Sequence, residues 1–88
     1  MNNILDEYDK NIIKILYKNQ LMGGMTASKI SKITGYSYTK TKNTLYKLEK
    51  MKLIIEKITN KNDRYGKPVF QWIPNIERID YLFKLLEN

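Results

Sequence analysis

The sequence predicts an α+β protein, mainly α, in which three helices are followed by a β-hairpin and a C-terminal helix. Apolar residues recur at spacings of three and four through the first half of the chain, as on the buried side of a helix. Residues 53–59 (LIIEKIT) and 69–73 (VFQWI) are instead β-branched and aromatic runs, which are typical of strands. A chain of 88 residues makes one small domain. We place this domain at residues 1–74 and a separate dimerisation element at residues 75–88.

The first helix is predicted at about residues 6–20. Asp6 is a suitable N-cap, and the acids that follow it complement the positive end of the helix dipole. The predicted buried stripe consists of Leu5, Tyr8, Ile12, Ile15 and Leu16.

A second, short helix is predicted at about residues 27–34, with Thr26 as its cap. Its inward-facing residues would be Ala27, Ile30 and Ile33. Gly35 suits the left-handed position that closes a helix, and Ser37 can cap the helix that follows. A glycine-closed helix, a tight turn and a capped helix form the pattern of a helix-turn-helix.

The third helix has two chemically different sides on a helical wheel. The side predicted to face the core holds Tyr38, Thr41, Leu45 and Leu48. The outer side holds Thr39, Asn43, Tyr46, Lys47 and Lys50, with Lys40 and Lys42 on its flanks. Its only carboxylate is Glu49, near the C-terminal end, so this side suits an acidic partner.

The predicted hairpin has a basic tip. Its loop turns at Gly66 and Pro68 and carries Lys61, Arg64 and Lys67 against the single acid Asp63. In the second strand, Phe70 and Trp72 alternate and therefore share one face. We predict that both pack in the core, with a dimer seam as the alternative.

The last helix is predicted to be capped by Asn75 and to run to about Glu87. Its apolar residues lie on nearly all sides: Ile76, Ile79, Tyr81, Leu82, Phe83, Leu85 and Leu86. A helix of this kind is buried on two sides. Because the domain is small, we predict that these residues form the interface of a homodimer.

The net charge of +7 is concentrated in the middle of the chain. Residues 25–52 carry seven lysines and one acid, whereas residues 1–24 carry three lysines and three acids. Such segregation favours nucleic acid as the partner.

Several classes of function are disfavoured by composition. The chain has no cysteine and no histidine, which removes disulfides, thiol nucleophiles and most zinc sites. Glycine-rich phosphate loops and suitably spaced catalytic carboxylates are also missing from the sequence. We therefore predict that the protein is not an enzyme and uses no cofactor or metal. No run approaches the roughly 20 apolar residues of a membrane span, and we expect a cytoplasmic protein without a membrane partner.

Two stretches resemble the winged helix-turn-helix regulators of the MarR, ArsR and PadR kind. "MTASKISKITGYS" is similar to the start of their second helix. "LYKLEKMKLIIEK" is similar to the end of their third helix and the first wing strand, with Leu48, Met51, Leu53 and Ile54 in matching places. The resemblance covers about residues 6–73. Lys52 stands where these families usually have glycine, so it must either adopt a left-handed conformation or end the helix in another way.

The resemblance implies that the third helix is a recognition helix in the major groove of double-stranded DNA. Asn43 would then pair with adenine, and Thr39 would contact a thymine methyl or a base edge. Tyr46 would pack on the sugar–phosphate backbone, and Arg64 would enter or border the minor groove. The predicted phosphate contacts are Lys29, Lys32, Ser37, Lys40, Lys42, Lys47, Lys61 and Lys67.

The predicted function is a small homodimeric repressor that occupies its operator, without a small-molecule sensing domain. A centromere-binding adaptor of plasmid or phage partition, similar to the TubR type, fits the same features. Such an adaptor would recruit a cytoskeletal NTPase. A winged-helix module that binds only proteins is the alternative from another class.

Overall fold

The computed structural model describes residues 5–86 and has the predicted order of elements. The helices are α1 (Glu7–Lys18), α2 (Ala27–Thr34), α3 (Tyr38–Lys50) and α4 (Ile79–Leu86), with 3-10 turns at Gln20–Met22 and Ile76–Arg78. Strands β1 (Ile54–Asn62) and β2 (Pro68–Pro74) form an antiparallel hairpin. The α+β, mainly α prediction is therefore confirmed, while the predicted end of the last helix at Glu87 lies outside the described residues.

A capping box begins α1. The Asp6 carboxylate accepts the Asp9 N–H at 2.9 Å, and the Asp9 carboxylate accepts the Asp6 N–H at 2.9 Å. The buried stripe that follows is Ile12, Ile13 and Leu16. The prediction for Tyr8 was wrong, since its side chain is 41% exposed. Tyr8 lies in the first turn, beyond the core, against the ring of Tyr36.

The helix-turn-helix has the predicted local chemistry. Thr26 caps α2 by accepting the Lys29 N–H at 3.2 Å. Gly35 closes α2 in the left-handed region at φ 80°, and the Ser37 hydroxyl caps α3.

Two residues predicted to face the core of this motif are exposed instead. Ile33 is 54% exposed. It lies two steps of three residues after Ala27, and each step rotates the side chain by about 60°, so the two side chains point about 120° apart. Tyr38 is 53% exposed, because it is the first residue of α3 and the buried side of that helix starts at Thr41.

The core lies between the helices and one face of the hairpin. Leu45 and Leu48 of α3 are fully buried, and Trp72 of β2 is 1% exposed. Met25 exchanges two backbone hydrogen bonds with Trp72, at 2.8 and 3.1 Å, and so forms an isolated antiparallel bridge to β2. Trp72 is therefore a core residue, as predicted, and Phe70 is half-buried against the same core.

Lys52 ends α3 in the left-handed conformation, with φ 63°. Its N–H donates to the Glu49 carbonyl at 2.9 Å, and the Leu53 N–H donates to the Leu48 carbonyl at 3.1 Å. These two bonds form a Schellman motif, the closure that glycine usually provides. A residue with a Cβ adopts this conformation at a cost of about 1–2 kcal/mol.

The last helix differs from its prediction in two ways. The Asn75 side chain does not cap it, because the amide donates to the Lys52 carbonyl instead. Leu82 is 2% exposed and belongs to the core, so it is not part of an outer interface. The apolar side chains that α4 and its preceding turn leave most exposed are Ile76, Tyr81 and Phe83.

Candidate nucleic-acid interface

The turn between α2 and α3 is fastened to α1 through Tyr36. The Asn11 amide donates to the Tyr36 hydroxyl at 2.6 Å, and the rings of Tyr36 and Tyr8 meet edge to face with centroids 4.7 Å apart. The Ser31 hydroxyl donates to the Tyr36 carbonyl at 2.6 Å. These contacts fix the orientation of α3 relative to the rest of the domain.

The outer side of α3 presents the polar side chains that its sequence predicted. Thr39, Asn43 and Lys50 are exposed, and Tyr46 is 47% exposed. The single carboxylate of α3, Glu49, is half-buried near the C-terminal end of the helix. Amide, hydroxyl, phenol and ammonium groups together can hydrogen-bond base edges and phosphate oxygens.

Two lysines predicted to contact phosphate have partners within the domain. The Lys47 ammonium pairs with the buried Asp9 carboxylate, and the Lys40 ammonium lies 4.2 Å from the centroid of the Tyr8 ring. The acids at the start of α1 therefore lie against one flank of α3. Sequence reasoning missed this arrangement because Asp9 and Lys47 are 38 positions apart.

Asp6 belongs to the same flank. The pKa of its carboxyl is lowered, chiefly by the hydrogen bond from the Asp9 backbone and further by the positive charges of Lys47 and Lys40, against a smaller opposing effect of burial. The carboxylate thus remains ionised beside the two lysines and offsets part of their charge.

Lys42 lies among aromatic rings on the other flank. Its ammonium is 5.0, 5.2 and 5.9 Å from the ring centroids of Tyr46, Trp72 and Tyr38. Burial lowers the pKa of Lys42, but the neighbouring Tyr46, Tyr38 and Glu56 side chains together raise the pKa by more, so the net shift is upward. Lys42 is therefore a charged group whose ammonium lies beside Tyr46 of the same helix.

The hairpin tip is an ordered turn built around Asp63. One carboxylate oxygen accepts the backbone N–H groups of Tyr65 and Lys67, at 2.8 and 2.9 Å. The Asp63 N–H donates to the Lys67 carbonyl at 2.8 Å. Arg64 is exposed at this turn, with its guanidinium 6.0 Å from the centroid of the exposed Tyr65 ring. The sequence had indicated Asp63 only as an opposing charge, whereas the structure gives it an organising role.

A cleft of about 210 Å³ brings the hairpin and the helix-turn-helix together. Ser28 near the start of α2 and Tyr38 and Lys42 of α3 line one side, and Asp63 and Pro68 of the hairpin line the other. The N-terminal part of α3 and the base of the hairpin tip therefore lie on one side of the molecule. The exposed lysines of α2 and of the hairpin are Lys29, Lys32, Lys57, Lys61 and Lys67.

Other kinds of site are not found in the part of the chain that the structure describes. Within residues 5–86, no three acidic side chains are grouped as a metal site would need. None of the helices described there has the length and apolar character to cross a bilayer.

The arrangement is similar to that of a mutant of MepR from S. aureus. The TM-score is 0.75 over 94% of this chain, with 20% sequence identity. The matched region is 57% of the MepR chain, so this protein spans little more than half of that length. The likeness confirms the winged-helix fold. No protein-family model and no curated protein matches the sequence.

Proposed function

We propose that this protein is a DNA-binding regulator that represses transcription by occupying its operator as a homodimer. The observation that supports the proposal is the cleft in which Tyr38 and Lys42 of α3 face Asp63 and Pro68 at the base of the basic hairpin tip. The similarity to the S. aureus MepR mutant supports the winged-helix arrangement on which this proposal depends.

In this proposal, α3 lies in the major groove. Asn43 pairs with an adenine edge and Thr39 contacts a thymine methyl or a base edge. Ser37, at the N-terminus of α3, binds a phosphate, and Tyr46 packs on the backbone. Arg64 reaches the minor groove from the hairpin tip.

The phosphate contacts are redistributed relative to the sequence prediction. In the proposal, five exposed lysines contact phosphates: Lys29, Lys32, Lys50, Lys61 and Lys67. Lys40 and Lys42 contribute positive potential from their aromatic contacts at the flanks of α3. Lys47 serves mainly to hold α3 against α1, because it is paired with Asp9.

The homodimer would form through the C-terminal segment, residues 75–88. The exposed side chains of Ile76, Tyr81 and Phe83 support this choice, since they lie on or next to α4. A two-fold dimer of this kind binds half-sites about one helical turn apart, roughly 34–36 Å. Static light scattering of the whole chain tests the dimer, and a monomer at micromolar concentration would refute it.

The test of DNA binding is its salt dependence on a duplex of random sequence and on sequences selected from a random pool. With about six phosphate contacts, the affinity should fall about a thousandfold between 50 and 200 mM salt. A matched triple variant with Lys61, Arg64 and Lys67 changed to glutamine should have a smaller salt slope. Absence of binding to every duplex at low salt would refute the proposal and favour the protein-binding module. Protection of a single palindrome would favour repression, whereas coating of repeated sites would favour the partition adaptor.

A further inference from the structure

Asn75 joins three elements of the fold at one point. Its side-chain amide donates to the Lys52 carbonyl at 2.8 Å, and its backbone N–H donates to the Leu53 carbonyl at 3.0 Å. Its own carbonyl accepts the Arg78 N–H at 3.0 Å, which closes the 3-10 turn before α4. The end of α3, the start of β1 and the start of the C-terminal segment are thus held by one residue.

The joint is rigid on its α3 side. Lys52 is held in the left-handed region by the Schellman motif, and Leu53 is 1% exposed. The carbonyl groups of both residues accept hydrogen bonds from Asn75, so the orientation of this corner relative to α3 is restricted. The next residue after Asn75 is Ile76, whose side chain is 53% exposed at the surface proposed for the dimer.

We infer that Asn75 is a positioning residue that transmits the dimer geometry to α3 and thereby fixes the spacing of the two DNA half-sites. The inference rests on the proposed homodimer through the C-terminal segment. In such a dimer, the path from the partner surface to the recognition helix runs from Ile76 through Asn75 to Lys52. A change in that joint alters the separation of the two α3 helices without altering any group that contacts DNA.

The chemistry of the joint requires an amide. Alanine has no donor for the Lys52 carbonyl, and aspartate would place a carboxylate oxygen against that carbonyl oxygen. Both variants keep the backbone bond from residue 75 to the Leu53 carbonyl and lose only the side-chain link to the end of α3. Asn19→Ala is the matched control, because the Asn19 amide makes the same kind of bond at the end of α1, to the Ile15 carbonyl at 2.8 Å.

A distance measurement without DNA tests the inference first. The sequence contains no cysteine, so Thr39→Cys gives a single spin-label site on α3 of each protomer of the full chain. Pulsed electron paramagnetic resonance should give one narrow distance distribution in this background and after Asn19→Ala. Asn75→Ala and Asn75→Asp should broaden or shift it while the helix content by circular dichroism is unchanged. An unchanged distribution in the aspartate variant would overturn the inference even if the alanine variant failed to fold.

A DNA measurement on the unlabelled chain tests the functional consequence. Duplexes selected from a random pool by the wild-type protein are lengthened by one or two base pairs between their half-sites. The wild-type dimer can then no longer bind both half-sites at once, so its affinity should fall about a hundredfold. Asn75→Ala should bind the lengthened duplexes with an affinity within about threefold of its affinity for the selected ones. Its affinity for a single half-site should stay within about twofold of the wild-type value. An equal loss of affinity in wild type and in Asn75→Ala would overturn the inference and leave the dimer intact. Wild-type binding that does not depend on the half-site spacing would refute the dimer on which the inference rests.

Discussion

Lys47 of α3 forms an ion pair with Asp9 of α1, and this pair joins the middle of α3 to the N-terminal capping box. The Asp9 side chain is 1% exposed, whereas the Lys47 side chain is 42% exposed. The same carboxylate accepts the Asp6 N–H, so it holds the start of α1 and the middle of α3 together. A lysine that the sequence placed on the DNA face therefore also holds α3 against α1.

Lys47→Ala should lower stability, because it leaves the Asp9 carboxylate buried without its cation. We expect a loss of about 1–3 kcal/mol in the free energy of unfolding, measured with urea. Lys50→Ala is the matched control, since Lys50 is exposed on the same helix, and its effect should stay within about 0.5 kcal/mol. Equal and small losses for the two variants would mean that the ion pair does not stabilise the fold.

Lys52→Gly should raise stability. Lys52 has φ 63°, and glycine reaches this conformation without the clash that a Cβ makes. The expected gain is about 1 kcal/mol, seen as a higher urea midpoint. Lys50→Gly, at the last residue of α3, should instead destabilise by about 0.5–1 kcal/mol. A lower midpoint for Lys52→Gly would contradict the assignment of strain to this residue.

Asp6→Asn should change the acid stability of the protein. The pKa of Asp6 is lowered in the folded state, mainly by the hydrogen bond from the Asp9 backbone. A lowered folded pKa adds stability above the ordinary carboxyl pKa and loses it as the pH falls below about 4. Asparagine caps a helix equally well but does not titrate. Wild type should therefore exceed the variant in stability at pH 7, and the difference should shrink toward pH 3 in urea titrations; a constant difference would contradict this.

Asn43→Ala should reduce sequence discrimination more than general affinity. An amide that pairs with adenine contributes about 1–3 kcal/mol of preference for the correct base. Competition between a selected duplex and a random duplex measures this preference directly. Lys50→Ala should weaken binding to both duplexes alike, because a phosphate contact carries no sequence information. Equal losses on both duplexes for Asn43→Ala would mean that Asn43 does not contact bases.

Two substitutions of Asp63 separate its charge from its role in the hairpin turn. Asp63→Asn keeps an oxygen that can accept the N–H groups of Tyr65 and Lys67, and it removes a negative charge beside Arg64. Its DNA affinity at low salt should rise. Asp63→Ala removes the same charge and also the acceptor, so its affinity should lie below that of Asp63→Asn. Equal affinities would mean that an ordered tip contributes nothing to binding.

Short-range chemistry made much of the fold predictable. The caps Asp6, Thr26 and Ser37 and the closing Gly35 each act on residues within one helical turn, and each is found in the predicted role. The hairpin was predictable for the same reason, since its β-branched strands flank a polar loop.

Contacts between distant parts of the chain were not predictable from the sequence. Asn75 was expected to cap its own helix, but it donates to a carbonyl 23 positions earlier because the corner at Lys52 presents that acceptor. Tyr8 and Tyr38 were expected in the core, yet both lie in first turns that extend past it. Periodicity identifies the side of a helix that faces inward, but it does not indicate where the neighbouring element ends.

The single tryptophan of the chain, Trp72, lies where a spectroscopic probe would be most useful. Its indole is 1% exposed, its backbone is bonded to Met25, and the Lys42 ammonium of α3 is 5.2 Å from its ring. Its emission should therefore respond both to unfolding and to any movement of that charge. Intrinsic fluorescence of the unmodified protein can thus follow stability and ligand binding in one titration, without a label.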